Sequence, residues 1–168
     1  GMAALIALGV YAFWLKRQLS LHLRIGLEAR NYLNVAAEII VSLNRNGEIE
    51  FLNDSGHQLL GYPKGSLNGR SWFDLCVPES KRSEIRAVFQ QLMNGDLEDV
   101  LRYRNTILHA EGELLTIQWL NTVIYDSKNN IIGVLASGVD VTEEEKLKAN
   151  LLTSQEALEH AANTIVIT

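Results

Sequence analysis

Residues 113–139, ELLTIQWLNTVIYDSKNNIIGVLASGV, hold two apolar-rich stretches split by DSKNN. In the first, 113–125, Leu115, Ile117, Trp119, Val123 and Tyr125 alternate with Thr116, Gln118 and Thr122. Successive side chains of a strand point to opposite faces, so this is a strand with one face turned to a core. The other face is not wholly polar: Leu114, Leu120 and Ile124 interrupt it and call for a cover. The second stretch, 131–139, reads as a strand of unusually small volume, because Gly133, Ala136, Ser137 and Gly138 leave room beside it.

The residues before this pair supply the rest of a sheet. DVLRYRNTIL at 99–108 is a third strand. Ahead of it Pro78-Glu79 opens a helix, Ile85, Val88, Phe89 and Leu92 share one of its faces, and Asn94-Gly95 closes it. IIVSL at 39–43 and IEFL at 49–52 are short strands around Asn46-Gly47, the strongest short-range hairpin signal. Asn53 and Asp54 cap a short helix, SGHQLLG, and Gly61, Pro63 and Gly65 punctuate a loop with brief helices through WFDLC. The expected class is α+β, a five-stranded antiparallel sheet with short helices and one longer helix on one face, flanked by helices at both ends.

In this order the pieces resemble a PAS sensory domain over about residues 38–142. IIVSLNRNGEIEFLNDSGHQLLGY, 39–62, looks like the first hairpin and its following helix, with Asn53 at the family's usual asparagine. LNGRSWFDLCVPES, 67–80, is similar to the next loop and helix, and 107–146 to the last three strands, ending in Asp140-Val141-Thr142. The resemblance implies a sensory or regulatory module, not an enzyme, whose effector beyond residue 168 is a histidine kinase or a cyclic-di-GMP cyclase or phosphodiesterase. Asp140, Thr142 and Glu145 would then transmit the signal into the exit helix. It also implies which cofactors to weigh. Haem-binding relatives carry their ligand on the long helix, and 79–93 has no histidine. Flavin photoreceptors need a cysteine where Gly69-Arg70-Ser71-Trp72-Phe73 has tryptophan, with Cys76 four residues on. Neither haem nor a blue-light flavin adduct is expected.

Composition narrows the classes further. Twenty acids against 15 basic residues give a net charge of -5, a poor match to phosphate backbones, so no nucleic-acid partner is expected. Cys76 is the one cysteine and cannot form an internal disulfide. His22, His57, His109 and His160 fall on separate segments, so no metal site is expected, and His57 reads as a surface residue. No GxxxxGK[ST], HExxH or GxSxG occurs, and Glu143-Glu144-Glu145 suits a helix N-terminus better than an acid/base dyad.

The ends carry their own signals. Residues 2–15 are 14 uncharged residues, about 21 Å as a helix. A bilayer core needs about 20 residues, so the run reads as the end of a transmembrane or apolar helix. Lys16 and Arg17 follow it at once, as at a cytoplasmic boundary; the alternative is a buried or dimer-packing helix. The localisation that follows is the inner membrane, with the PAS domain in the cytoplasm. LSLHLRIGL at 19–27 alternates like a strand but reads as an entry linker helix, 16–37, with apolar residues on two sides. It is the expected cover for the second face of the sheet. At the other end Thr142 to Glu145 is a T-x-x-E capping box, and Leu147, Leu151, Ser154, Leu158 and Ala161 step 4, 3, 4, 3, as in a coiled coil over 143–160. A homodimer through the flanking helices follows; a solvated helix docked on its own domain is the alternative. AANTIVIT at 161–168 matches AAEIIVSL at 36–43 at four of eight positions, so 161–168 reads as the first strand of a second PAS-like domain.

Trp72, Phe89, Tyr103, Ile107 and Trp119 would wall a cavity between sheet and helices, with Asn121 as its polar group. Either they simply fill a core or they hold a small, mainly apolar or aromatic ligand oriented by Asn121. A rival to the relay function is a ligand-free dimerisation spacer that sets coiled-coil register.

Overall fold

A computed structural model of the chain describes residues 15–18, 24 and 38–166. It divides into residues 1–36 and residues 37–168. In the first unit residues 15–18 and 24 are helical, and the other residues of the 2–15 and 16–37 expectations lie outside the described residues. Among the described residues no helix is long and apolar enough to cross a membrane.

The second unit begins with a hairpin that its own side chains close. Asn44 Oδ1 accepts from the backbone N–H of Asn46 at 2.9 Å and of Glu48 at 3.0 Å. Gly47 takes a φ of 77°, which a glycine adopts without strain. Here that freedom also makes space, because a Cβ would lie 2.2 Å from Phe73 Cε2. The hairpin joins β1 (Ile39–Asn44) to β2 (Ile49–Leu52). Then come α1 (Asp54–Leu60), α2 (Trp72–Cys76), a single 3-10 turn (Glu79–Lys81) and α3 (Arg82–Met93). The chain returns as β3 (Arg102–Leu108), β4 (Leu114–Tyr125) and β5 (Ile131–Asp140), and leaves through α4 (Thr142–Val166).

The strands form one antiparallel sheet in the order β2-β1-β5-β4-β3, so first and last strands pair in its centre. The expected α+β fold is therefore present, with the helices over one face. That face carries the core: Ile107 and Ile117 of the sheet and Leu60, Leu67 and Phe73 of the helices and their loop are all fully buried in one cluster. The helices pack with aromatic edges, Phe73 on Phe89 at a centroid separation of 5.4 Å and Trp72 on Trp119 at 5.8 Å. Such edge-to-face pairs contribute about 0.5–1.5 kcal/mol beyond the area they bury.

Asn53, which caps α1 by accepting from Gly56 N at 3.0 Å, also fastens the sheet to the helices. The same Oδ1 accepts from Ile40 N at 3.0 Å, and its Nδ2 donates to the Glu38 carbonyl at 2.8 Å. A fully buried amide with both ends engaged offsets its own desolvation and fixes where β1 starts relative to α1.

Several boundaries differ from the sequence expectation. The third strand starts at Arg102, not 99, because Val100 N and Leu101 N bond to Leu97 O in a turn. Tyr125 does not share the inner face of β4: register shifts between Ile124 and Tyr125, and the side chain is half exposed. The segment 161–166, expected as the first strand of another unit, continues α4 to Val166. A helix satisfies its backbone hydrogen bonds internally and needs no partner strand. Residues 167–168 lie outside the described residues. On the outer face Leu114, Leu120 and Val139 are exposed, and the cover expected from 19–27 lies outside the described residues apart from Arg24.

Candidate functional site

Between the inner face of the sheet and α2 and α3 lies a cavity of ≈ 60 Å³. Alternation along β3 and β4 aims its floor: Tyr103 pairs with Trp119 across the two strands, with Asn105 and Asn121 on the same face. Ile85, Phe89 and Leu92 of α3 form the opposite wall and Trp72 of α2 one end. Five of the six residues expected to line a cavity therefore do: Trp72, Phe89, Tyr103, Trp119 and Asn121. Ile107 does not. It shares the parity of Tyr103 and Asn105 but lies further along β3, opposite Leu115, where it is sealed in the core. Asn105 is the lining residue the sequence did not single out; its signal was that same parity with Tyr103.

The two asparagines have defined orientations. The indole N–H of Trp119 is only a donor, so the atom it meets at 2.7 Å is Asn105 Oδ1, leaving the Asn105 amide N–H groups. Asn121 donates from Nδ2 to the Val100 carbonyl at 2.8 Å, which leaves its Oδ1 as an acceptor and its second amide N–H as a donor. Among the described residues nothing bonds to that oxygen. Since no buried side-chain oxygen or nitrogen lacks a partner, Oδ1 must meet open space, and Asn121 is only 9% exposed. The open space is the cavity it lines. None of the lining side chains carries a charge.

Polar contacts clasp the rim. Tyr103 donates its hydroxyl to Glu84 Oε1 at 2.8 Å, tying β3 to α3. Hydrogen bonds from Lys81 and then from Tyr103 hold the Glu84 carboxyl below its usual range. Burial, then the Glu84 carboxylate, raises the Tyr103 phenol. Arg86 lies 4.4 Å over the Phe73 ring and pairs with Asp74 at 3.2 Å, so this cation is engaged outside the cavity.

The exit from the domain is built differently from the expected capping box. Thr142 Oγ1 accepts from Thr116 N at 2.8 Å and donates to Asp140 Oδ1 at 2.5 Å. Asp140 Oδ1 also accepts from Thr142 N at 2.9 Å. Glu145 does not turn back to the cap; its carboxylate meets Arg104 of β3 at 2.8 Å, because a guanidinium offers a charged donor in place of an amide. So Asp140, Thr142 and Glu145 come together around the start of α4, and each reaches the β3–β4 edge or the residue beside it.

Other chemistry is sparse. His57 is buried, not a surface residue. Gly65 N–H donates to its Nε2 at 3.0 Å, which makes Nδ1 the protonated nitrogen that donates to the Asn53 carbonyl at 3.1 Å. Both ring nitrogens thus serve the α1 loop. Cys76 is fully buried and burial pushes its thiol up to about 12. Among the described residues no three His, Cys, Asp or Glu side chains gather as a metal site.

A family profile described as PAS fold matches residues 33–146. Among curated proteins none matches the chain significantly. Solved structures do. A PAS domain from Colwellia psychrerythraea is 21% identical, with a TM-score of 0.59, covering 71% of this chain and 98% of that one. A sensory box histidine kinase/response regulator from Burkholderia thailandensis is 16% identical with a TM-score of 0.58, covering 74% and 92%. The N-terminal domain of a diguanylate cyclase with PAS/PAC sensor from Marinobacter aquaeolei is 20% identical with a TM-score of 0.51, covering 64% and 98%. At these identities the likeness speaks for the fold alone. By profile and by architecture, this chain belongs to the PAS family of sensory domains.

Proposed function

We propose that this chain is the sensory module of a membrane-anchored signalling protein, and that it relays the state of its cavity to a C-terminal effector through α4. A PAS domain is a sensory fold and this segment is not an enzyme. The observation that carries the relay is the pair of adjacent residues Arg104 and Asn105 on β3. Asn105 faces the cavity and holds the Trp119 indole at 2.7 Å. Arg104 faces outward and holds Gln118 Oε1 at 3.0 Å and Glu145 Oε1 at 2.8 Å. A strand moves as a unit, so a shift of Trp119 that drags Asn105 also drags the grip on α4. The Arg104–Glu145 pair is exposed and contributes about 0–1 kcal/mol, enough to bias two helix arrangements without locking either. The Asp140–Thr142–Thr116 contacts keep the helix start in place while it is biased.

The class of effector is supported by the two solved relatives, one a histidine kinase and one a diguanylate cyclase by name. The membrane anchor and a cytoplasmic PAS domain are supported by the uncharged run 2–15 followed by Lys16 and Arg17. A homodimer is supported by α4, where Leu147, Leu151 and Leu158 are exposed at coiled-coil spacing.

The test uses the full-length protein with its effector. Arg104→Gln, and separately Asp140→Ala with Thr142→Ala, should change output while the dimer persists. If output stays at the wild-type level in both with dimerisation intact, the relay is wrong and the spacer reading holds.

A further inference from the structure

We propose that Asn94 is a site of covalent modification, converted to aspartate or isoaspartate by the backbone of its own neighbour, Gly95. The chain holds three Asn-Gly pairs, Asn46-Gly47, Asn68-Gly69 and Asn94-Gly95, and the asparagine is exposed in each. Glycine favours the reaction because no Cβ crowds its nitrogen. That nitrogen gives up its proton and bonds to the asparagine Cγ, the bond from Cγ to the side-chain nitrogen breaks, and ammonia leaves with the proton. Water then opens the cyclic imide at either carbonyl. One opening gives aspartate; the other reroutes the backbone through Cβ and gives isoaspartate.

The three sites differ in how firmly the attacking nitrogen is held. Gly47 is buried, its N–H donates to Asn44 O at 3.0 Å, and its carbonyl accepts from Trp72 N at 3.0 Å. Phe73 packs on its Cα, and Asn44 Oδ1 binds the amides on either side of it. Gly69 N–H donates to Ile49 O at 2.7 Å, and Ile49 N–H donates to Arg70 O at 2.9 Å, so this glycine continues the sheet beyond β2. Gly95 has neither support. It is exposed, its N–H meets Leu92 O at 3.0 Å in the last turn of α3, and a Cβ there would meet only Ile131 Cδ1 at 3.5 Å. Freeing its nitrogen breaks the end of a helix, whereas freeing the other two breaks the hairpin packing or the sheet edge. Helix ends open locally at small cost, and core-packed strands open near the global cost.

The product changes α3. Asn94 is its C-cap, followed by Gly95 N–H on Leu92 O and Asp96 N–H on Gln91 O, both at 3.0 Å. The negative pole of the helix lies here, so a new carboxylate is disfavoured, the more so with Asp96, Glu98 and Asp99 next in the chain. Isoaspartate also lengthens the backbone by one carbon just where those two bonds close. Leu92 is buried and lines the cavity, so the modification loosens the turn that holds this wall.

The test is peptide mapping of the purified protein held at mildly alkaline pH, native and in urea. Trypsin puts the three asparagines on separate peptides, 46–64, 65–70 and 87–102. In urea all three should convert at similar rates, since the dipeptide is the same. In the native protein Asn94 should convert about tenfold faster than Asn46 and Asn68, or more. Native conversion led by Asn46 or Asn68, equal conversion of all three, or an Asn94 that stays intact overturns the assignment. Asn94→Asp reproduces one product and should speed amide hydrogen exchange at Gly95 and Asp96 about threefold, with Gly47 and Gly69 unchanged. Unchanged exchange at Gly95 and Asp96 overturns the effect on α3, and if that variant fails to fold, the converted wild type gives the same comparison.

Discussion

Gly138 lies directly across from Trp119 in the β4–β5 ladder, and a Cβ added to it would stand 2.5 Å from Cζ3 of the indole. The smallness of β5 is therefore partly a seat for a side chain. Of its small residues Ala136, two along on the same face, borders the cavity, together with Val134. Gly138→Ala must push Trp119 out of its rotamer or pull the strands apart. Overpacking of this kind costs about 1–3 kcal/mol, and the displaced indole also loses its hold on Asn105 Oδ1. Chemical denaturation of the variant should show that loss, and a stability equal to wild type would mean that Trp119 is not seated on this glycine.

Thr142 offers a cleaner substitution because its methyl and its hydroxyl do different work. Thr142→Val keeps the shape but leaves Thr116 N–H without its 2.8 Å acceptor and Asp140 without one of its donors. A buried donor left unpaired costs about 1–3 kcal/mol. Thr142→Ser, which keeps the oxygen, should recover most of it in urea denaturation. Equal destabilisation by both would assign the loss to the methyl.

Those two sites show what the sequence makes legible. The alternation of β4 identifies the inner face through Val123, because one buried face imposes a period of two, and Gly138 stands out by its size alone. Tyr125 escapes that logic since a register shift flips it, and such shifts leave no mark in a residue pattern. The capping box fails for a related reason. Thr142 and Glu145 have the right spacing, but both find partners on β3 or β4, which are 26 and 41 residues distant in sequence and invisible to a local motif. Asn105 hides because a polar residue at an inward position looks like an exception until Trp119 is seen donating to it.

Cys76 gives a reporter for all of these variants. It is the only cysteine, fully buried, with its thiol pushed up to about 12 by burial. Thiolate is the reactive form, so at neutral pH the folded protein should resist iodoacetamide, and the rate should rise only with the unfolded fraction. Gly138→Ala and Thr142→Val should label faster than wild type by the factor by which their unfolded fraction rises, about tenfold for each 1.4 kcal/mol lost. Rapid labelling of the native wild type would show that α2 opens locally without global unfolding.

The Tyr103–Glu84 contact makes stability respond to pH at both ends of the range. The Glu84 carboxyl is depressed in the folded state, first by Lys81 and then by Tyr103, from an ordinary value of 4.5. A depressed acid contributes stability above its unfolded value and loses it as pH falls through the folded one. The difference between wild type and Glu84→Gln should therefore be constant above 4.5 and shrink below it. Tyr103 is raised from 10.0, so its contribution is complete below that pH and disappears as the pH climbs through the folded value. The tyrosinate absorbance that Tyr103→Phe removes should have its midpoint above 10.0, and Glu84→Gln should bring that midpoint down without returning it fully, since burial is the larger cause. A midpoint unmoved by Glu84→Gln would show that the clasp at the cavity rim does not form in solution.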